Sequence, residues 1–255
     1  AKRYASKHIV ASTLDTIKVK EIAIVEQVDL ICTACTDQAL LTVAKVSEEL
    51  SLPCYIDYQT ALNVTNKAFM KSVMLENDIP TAKYSILHKC DLEFLSDFEY
   101  PLVVKPVDCN SSKGVRKVED EESFRLSLND AVNYSRTHTA IVEEFISGEE
   151  ISADFYIENG EAKFLCATTS IKKKNTNSFT IIQSAYPAVN CEEELQLLQI
   201  AQKIANGFHL QNTPLLVQLL RRQNDFSVVE FSARMGGGSK YKLIEVLSGV
   251  NIMSK

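Results

Sequence analysis

The sequence VVEFSARMGGGSKY, residues 228–241, carries charged side chains in a strand-like run that breaks into three consecutive glycines. Successive side chains of a strand point to opposite faces, so the run divides into a polar and an apolar face. The polar face would hold Glu230, Ser232 and Arg234, and the apolar face Val229, Phe231 and Ala233. Glycines let a backbone approach a ligand closely, because they lack a Cβ. The stretch therefore predicts a strand that lies between the core and a binding site.

A second strand-like run, LLVQLLRR at residues 215–222, precedes it and predicts a hairpin. Gln218 lies among apolar neighbours in this run, and the hairpin would bring it towards the polar face of the other strand. Amide, carboxylate and hydroxyl oxygens suit Mg²⁺ bridged to phosphates, and an arginine fork binds a carboxylate or phosphoryl group. The alternative is a solvent-exposed sheet face, which normally holds more Lys and Thr.

Lys105 lies in PLVVKP, residues 101–106, where its neighbours are apolar or proline. A lysine in a buried strand needs an anion, because an unpaired buried charge is costly. The polar loop NSSKG, residues 110–114, follows and could aim backbone N–H groups and hydroxyls at phosphate oxygens. The alternative is a lysine that extends from a strand end beside an ordinary loop.

The run AIVEEFISGEE, residues 140–150, places Glu143 and Glu144 at the end of an apolar strand and Glu150 at the start of the next. Carboxylates at a strand exit accept hydrogen bonds from sugar hydroxyls, and the exposed backbone there can pair with an adenine edge. Taken singly, each glutamate has a simpler interpretation as a solvated strand-end charge. Their joint arrangement indicates a nucleotide site.

Composition and charge limit the classes of partner. A net charge of −6 and a pI near 5.4 oppose a broad nucleic-acid surface, which needs clustered Lys and Arg. No apolar run approaches the roughly 18 residues of a membrane span, and no signal-peptide pattern is seen. Seven scattered cysteines indicate a reducing cytoplasm. The pair Cys32 and Cys35 lacks the second pair of a zinc site and predicts buried strand residues.

The order of helical and strand patterns predicts an α/β chain. Helices at residues 17–26 and 37–50 alternate with strands at 29–34 and 54–56, which implies a parallel sheet. Beyond a helix at 65–77 the pattern changes to strands and single helices, the first of these helices around residues 121–134. A hairpin with an Asn-Gly turn at residues 159–160 follows. The first residue is not Met, and an apolar segment lies next to the last residue. These two features suggest a fragment.

Four stretches in order, NKAFMK, PLVVKP, VEEFISGEE and VVEFSARMGGG, resemble the ATP-grasp superfamily of carboxylate–amine ligases. The resemblance is to the carbamoyl-phosphate synthetase large-chain and phosphoribosylglycinamide synthetase branches. It implies a truncated, parallel α/β domain before the ATP-grasp part at residues 1–62. A two-lobed, α+β ATP-grasp domain with antiparallel sheets would follow, with a small lobe at 63–145 and a large lobe at 146–255.

The resemblance also implies roles for individual residues. The nucleotide would be bound by Lys67, Lys105, Ser111, Ser112, Gly114, Glu143, Glu144, Phe145, Ile146 and Glu150. Magnesium, or manganese in its place, would be held by Gln218, Glu230 and Ser232. Arg234 would steady the reacting phosphoryl group, and Lys240 would touch the acceptor substrate. The implied cofactors are ATP and Mg²⁺.

The implied reaction forms an acyl phosphate from a substrate carboxylate and ATP, and an amine then attacks it. A P-loop kinase is disfavoured, because G-x-x-x-x-G-K-[ST] is absent. A non-catalytic ATP-binding domain is the alternative, since Ser232 stands where Asn is usual and the phosphate loop has one glycine. Amino-acid ligation, a carbamoyl-phosphate-synthetase-like reaction and phosphoribosylamine–glycine ligation all stay open. Small-molecule partners are implied, and a homodimer is allowed.

Overall fold

The computed structural model describes residues 5–34, 36–88, 97–109, 114–172, 181–238 and 240–254. Within these ranges the helices are α1 (Thr16–Val25), α2 (Asp37–Glu49), α3 (Tyr58–Thr65), α4 (Lys67–Glu76), α5 (Glu121–Tyr134), α6 (Cys191–Gly207) and α7 (Lys240–Ser248). The strands are β1 (Tyr84–Leu87), β2 (Leu102–Pro106), β3 (Arg116–Val118), β4 (Ala140–Glu144), β5 (Glu149–Glu158), β6 (Glu161–Lys172), β7 (Ile181–Ala185), β8 (Thr213–Arg222) and β9 (Asp225–Ser232). None of the described helices is long and apolar enough to span a bilayer.

The N-terminal part is helical. The helices predicted at 17–26 and 37–50 are confirmed by α1 and α2, whereas the strands predicted at 29–34 and 54–56 are wrong. In the described part of the chain no strand pairs with either segment, so their backbone groups join no ladder. Cys32 is accordingly exposed and not a buried strand residue. The sequence analysis also missed α3, which Asp57 caps by accepting a hydrogen bond from the amide of Thr60.

The small lobe is built on a four-stranded antiparallel sheet with the order β1-β4-β2-β3. Helix α5 has the predicted bounds, because a capping box of Asp120 and Ser123 fixes its first turn. Its Phe124 and Leu128 pack with Leu102 of β2 in a core of their own. The sheet therefore presents β2 and β4, the strands of Lys105 and Glu143, side by side.

The large lobe is built on a five-stranded antiparallel sheet with the order β7-β6-β5-β8-β9. One face of this sheet packs against α6 in the main core. In that core the ring of Phe208, which follows α6, packs edge-to-face on the ring of Phe231 of β9, with 4.6 Å between the ring centres. The other face packs against α7 through Tyr156, Cys166 and Ile244. Both antiparallel sheets agree with the expected ATP-grasp architecture.

Strand β9 contains a bulge that period-two alternation does not predict. Gln218 of β8 is opposite Glu230, but the next residue, Leu219, is opposite Val228, so Val229 is extra. Val228 consequently lies in the core with Phe231, and Val229 lines a cavity instead. The prediction that Val229 shares the core face was wrong for this reason.

Hydrogen bonds of Val228 join the lobes. The amide of Val228 donates to the carbonyl of Pro80 at 2.7 Å, and the Thr81 hydroxyl donates to the carbonyl of Val228 at 2.7 Å. Near the other end of the same cavity, Gly148 approaches the end of β8 so closely that a Cβ would lie 2.6 Å from the carbonyl oxygen of Arg221. A glycine is therefore required where the chain passes from β4 to β5.

We predict that Gly148→Ala lowers the free energy of unfolding by about 1–3 kcal/mol, because the methyl group forces backbone apart. Urea denaturation followed by circular dichroism measures this change. Gly237→Ala is the matched control, since a Cβ there meets no described atom within 4 Å, and we expect its change to stay within about 0.5 kcal/mol. Equal stability of the two variants would contradict the close contact.

Candidate functional site

A cavity of about 350 Å³ lies between the two sheets and is lined by both lobes. The lining brings together predicted residues from five separate stretches: Lys67, Lys105, Glu143, Glu144, Phe145, Ile146, Glu150, Gln218 and Glu230. Apolar side chains of β2, β7 and β8, namely Val103, Ile181 and Leu220, line it as well. A cavity with an apolar lining and a few convergent polar groups is the usual form of a small-molecule site.

Helix α4 positions the first lysine of the cavity. Asn66 caps the helix through its side-chain oxygen, which accepts from the amide of Ala68 at 2.9 Å. Lys67 follows directly, and its Nζ donates to the carbonyl of Cys109 at 2.7 Å and lies 3.3 Å from Glu230 Oε2. The buried Lys67 therefore connects the start of the predicted phosphate loop with the strand that carries the predicted metal ligands.

Glu143 is buried between two lysines. Its Oε2 lies 2.6 Å from Lys105 Nζ, and its Oε1 lies 2.8 Å from Lys71 Nζ. Burial by itself would raise the pKa of Glu143, but the ammonium groups of Lys105 and Lys71 outweigh it and lower that pKa to about 2. Burial lowers the pKa of Lys71, and the Glu143 carboxylate opposes that shift. Glu143 is thus an ionised partner of both lysines.

Lys71 is a site residue that the sequence analysis missed. It lies one helical turn after Lys67, and the spacing i, i+4 in NKAFMK puts both lysines on one face of α4. That spacing was the available signal. The partner of Lys71, Glu143, is far away in the sequence, so no local pattern announces the ion pair.

The metal ligands predicted on β8 and β9 are only partly brought together. Gln218 and Glu230 are directly opposite each other, and both line the cavity. Burial tends to raise the pKa of Glu230, but the charge of Lys67 and then that of Lys105 reverse this, so the pKa is lowered. Ser232 lies opposite Leu216 and is not part of the cavity lining. One carboxylate and one amide oxygen fit a hard cation shared with phosphate oxygens.

The segment between β4 and β5, which the resemblance predicts to bind the base, lines the cavity. The amide of Phe145 donates to the carbonyl of Pro101 at 3.1 Å, whereas the amide of Ile146 has no backbone acceptor among the described residues. Lys117 Nζ lies 4.3 Å from the centre of the Phe145 ring. Glu150 lines the cavity and forms an ion pair with Lys172.

The end of the predicted phosphate loop is set by Gly114. Its φ of +75° belongs to the left-handed region, and a Cβ would lie 2.9 Å from Pro106 Cγ. Ser111 and Ser112, which were predicted to face the phosphates, lie outside the described residues. Gly114 itself does not line the described cavity.

The two predicted catalytic residues lie outside the cavity lining. Arg234 binds Asp37 of α2 through Nε at 2.7 Å and Nη2 at 2.6 Å, and its Nη1 donates to the carbonyl of Met235. Lys240 Nζ lies 2.5 Å from Asp154 Oδ2 and 3.3 Å from the Ser152 hydroxyl. Burial raises the pKa of Asp154, and Lys240 opposes that shift. Sequence reasoning missed both acidic partners.

We predict that Glu143→Gln makes stability less sensitive to acid. The folded-state pKa of about 2 is below the ordinary value of 4.5, so this carboxylate stabilises the fold above the ordinary pKa and loses that contribution as pH falls towards 2. Between about pH 6 and pH 3 the wild-type chain should therefore lose more free energy of unfolding than the variant. Urea denaturation at a series of pH values checks this.

Glu144→Gln is the matched control for that experiment. Glu144 is the next residue, and it forms no ion pair with any described lysine or arginine. We expect its acid sensitivity to resemble that of the wild type. If Glu143→Gln and the wild type lost stability in parallel, the ion-paired state of Glu143 would be refuted.

Comparison with known proteins gives three informative matches. Residues 98–242, more than half of the chain, match the ATP-grasp domain family. The carbamoyl-phosphate synthase of Methanobrevibacter smithii is 33% identical over 149 residues, which are 56% of this chain and 39% of that protein. The D-alanine–D-alanine ligase of Pediococcus pentosaceus is 43% identical over 98 residues, which are 38% of this chain and 27% of that protein.

The fold is also that of solved ligases. The crystal structure of an L-amino acid ligase from Bacillus licheniformis superposes with a TM-score of 0.77, covers 93% of this chain and 57% of its own, and is 23% identical. The chain therefore has the fold of that protein. The matches to the two curated relatives cover less than half of the length of either.

Proposed function

Because the chain belongs to the ATP-grasp family, we propose that it is an ATP- and Mg²⁺-dependent ligase that activates a carboxylate for attack by an amine. One observation supports this more than any other. A single cavity contains the lysines Lys67 and Lys105, an apolar linker, and Glu230 opposite Gln218. Cationic, apolar and oxygen-donor groups in one cavity match the phosphates, base and metal of a bound nucleotide.

In this proposal the nucleotide lies along the cavity. The base occupies the apolar end at Phe145 and Ile146, where the amide of Ile146 is available to an adenine edge. Glu150 accepts hydrogen bonds from the ribose hydroxyls, in exchange for part of its contact with Lys172. Lys67 and Lys105 bind the phosphate oxygens at the other end.

Glu230 and Gln218 would hold the magnesium ion together with phosphate oxygens. The carboxylate is ionised, and its neighbour Lys67 lies 3.3 Å away, so cation and lysine would share the negative charge of the phosphates. A bound Mg²⁺ supplies charge neutralisation and orientation of the phosphates. Ser232 adds a third ligand only if the end of β9 moves towards the cavity.

The proposed reaction needs no covalent bond between the protein and its substrates. The substrate carboxylate attacks the γ-phosphate and forms an acyl phosphate with release of ADP, and the amine then displaces phosphate. Alignment and charge stabilisation by Lys67 and Lys105 provide the rate enhancement. Arg234 uses three of its five N–H groups in the contacts described, so two remain for a carboxylate or phosphoryl oxygen.

Lys240 is already engaged by the protein. All three of its N–H groups have acceptors on Asp154 and Ser152, so it can reach an acceptor substrate only by exchanging one of them. In this proposal Lys240, at the start of α7, lies on the side of the site where the amine substrate binds. The acid and the amine belong to the class of small metabolites, and an amino acid fits either role.

A non-catalytic nucleotide-binding domain is the second candidate. The position of Ser232 outside the cavity lining favours it, because the site then offers fewer metal ligands. Such a domain would bind MgATP without forming ADP. The two candidates therefore differ in turnover and not in binding.

We predict that the purified chain releases ADP from MgATP when pools of carboxylic acids and amines are supplied together. Glu230→Gln keeps the size of the side chain but removes its charge, and we expect about 100-fold lower turnover with MgATP. A coupled ADP assay measures both quantities. Binding of MgATP without stimulation by any pool would reject the ligase and leave the binding domain.

Asp225→Asn is the matched control for Glu230→Gln. It removes an exposed carboxylate from the start of the same strand, outside the cavity lining. We expect wild-type turnover from this variant. Thermal melting of both variants would show whether a lost activity reflects the site or the fold.

A further inference from the structure

We propose that Lys71 is a positioning residue of the nucleotide site, which pairs with Glu143 and offsets its charge, so that Lys105 keeps its own charge for the nucleotide phosphates. The inference rests on the proposed function, because it concerns the affinity of the same cavity for a nucleotide. Lys71 would act through Glu143 and not by touching the nucleotide. No role for Lys71 follows from the sequence motifs.

The contacts of Lys71 show why it acts indirectly. Its side chain is only 1% exposed, and its Nζ lies 2.8 Å from Glu143 Oε1. The same ammonium group donates to the Thr81 hydroxyl, which in turn donates to the carbonyl of Val228. An ammonium group so enclosed is fixed in place. It is therefore suited to orient a neighbour and poorly suited to follow a ligand.

Glu143 connects Lys71 with Lys105. Its two carboxylate oxygens are divided between the lysines, with Oε2 at 2.6 Å from Lys105 Nζ and Oε1 towards Lys71. A carboxylate that forms an ion pair with a different lysine at each oxygen divides its charge between them. Without Lys71 the carboxylate could rotate and use both oxygens on Lys105. Lys105 would then be neutralised by Glu143 and would have less charge to offer a phosphate oxygen.

The charge balance at this end of the cavity depends on Lys71 as well. The ion-paired groups there are Lys67, Lys71 and Lys105 against Glu143 and Glu230, so the balance is 3 − 2 = +1. Removing Lys71 gives 2 − 2 = 0. A nucleotide phosphate chain is strongly anionic, and charge interactions are stronger in a buried site than in water. Lys71 thus leaves Lys105 with charge to offer.

Hydrogen bonds through Thr81 connect Lys71 with the large lobe. Val228 immediately precedes the bulged Val229, and Glu230 follows it. The chain of contacts from Val228 through Thr81 and Lys71 to Glu143 therefore connects the strand of Glu230 with the strands of Lys105 and Glu143. One buried lysine relates both halves of the proposed nucleotide site.

A purely structural role for Lys71 makes a different prediction, and a charge rescue separates the two. In Lys71→Met the carboxylate of Glu143 has only Lys105 as its ion-pair partner. In Lys71→Met/Glu143→Gln the balance returns to 2 − 1 = +1, and the introduced amide oxygen can still accept from Lys105. Packing alone would not be restored by this second change.

The experiment is MgADP binding by isothermal titration calorimetry, with thermal melting of each variant. We expect Lys71→Met to weaken binding about tenfold or more, and the double variant to bind within about threefold of wild type. Lys163→Met is the matched control, because Lys163 is an exposed β6 lysine paired with Glu161 outside the cavity. It should bind MgADP as the wild type does.

Each outcome decides one point. Failure of the wild-type chain to bind MgADP would reject the proposed function itself. Wild-type affinity in a folded Lys71→Met, or a folded double variant as weak as Lys71→Met, would overturn the positioning role. If Lys71→Met does not fold, the double variant alone is decisive, since binding more than about tenfold weaker than wild type overturns the proposal.

Discussion

A carboxylate buried between two ammonium groups is stable only while all three partners keep their places. Glu143 is in that position, at 2.6 Å from Lys105 and 2.8 Å from Lys71. Loss of one partner leaves a buried charge uncompensated, which is one of the more costly changes in a protein interior. The backbone of β2, β4 and α4 must therefore bring these residues together in the folded chain. The same arrangement places lysines at the end of the cavity where anionic phosphates would bind.

The two sheets position different residues of the site. The small-lobe sheet fixes the lysine-bearing strand beside the linker, and the large-lobe sheet sets Gln218 opposite Glu230. Hydrogen bonds of Val228 with Pro80 and Thr81 connect the two lobes beside the cavity. The site belongs to neither sheet alone, so its geometry depends on how the lobes meet. Thr81 joins the lobes through Val228 and does not itself line the cavity.

Local pattern was sufficient for elements that local interactions stabilise. Helix α5 was predicted with its observed bounds, because its cap and its buried stripe both lie within the segment. The segment at 29–34 has the composition of a strand, but a strand also needs a neighbour, and composition cannot supply one. Local pattern therefore predicted helices better than isolated strands.

The candidate site was predictable to the extent that motifs carry it. Lys105 and Glu230 were found as charged residues in apolar runs, and Lys67 was predicted from the resemblance alone. The structure brings all three into one cavity. Lys71 was missed, because its partner Glu143 is distant in sequence, and Asp37 was missed because Arg234 lies 197 residues away. The extra residue in β9 was also invisible, since alternation is periodic and a bulge is a local exception to it.

That extra residue has a consequence for how the strand can change during evolution. Phe226 and Val228 face the core before the bulge, and Phe231 faces it afterwards, so the spacing changes parity between them. An ordinary strand anchored at Val228 would send Glu230 inward with it. Insertion or deletion of a single residue between 228 and 231 would therefore exchange the cavity-facing and core-facing sets, which no single substitution does. The length of this short segment is therefore more tightly constrained than the identity of most of its residues.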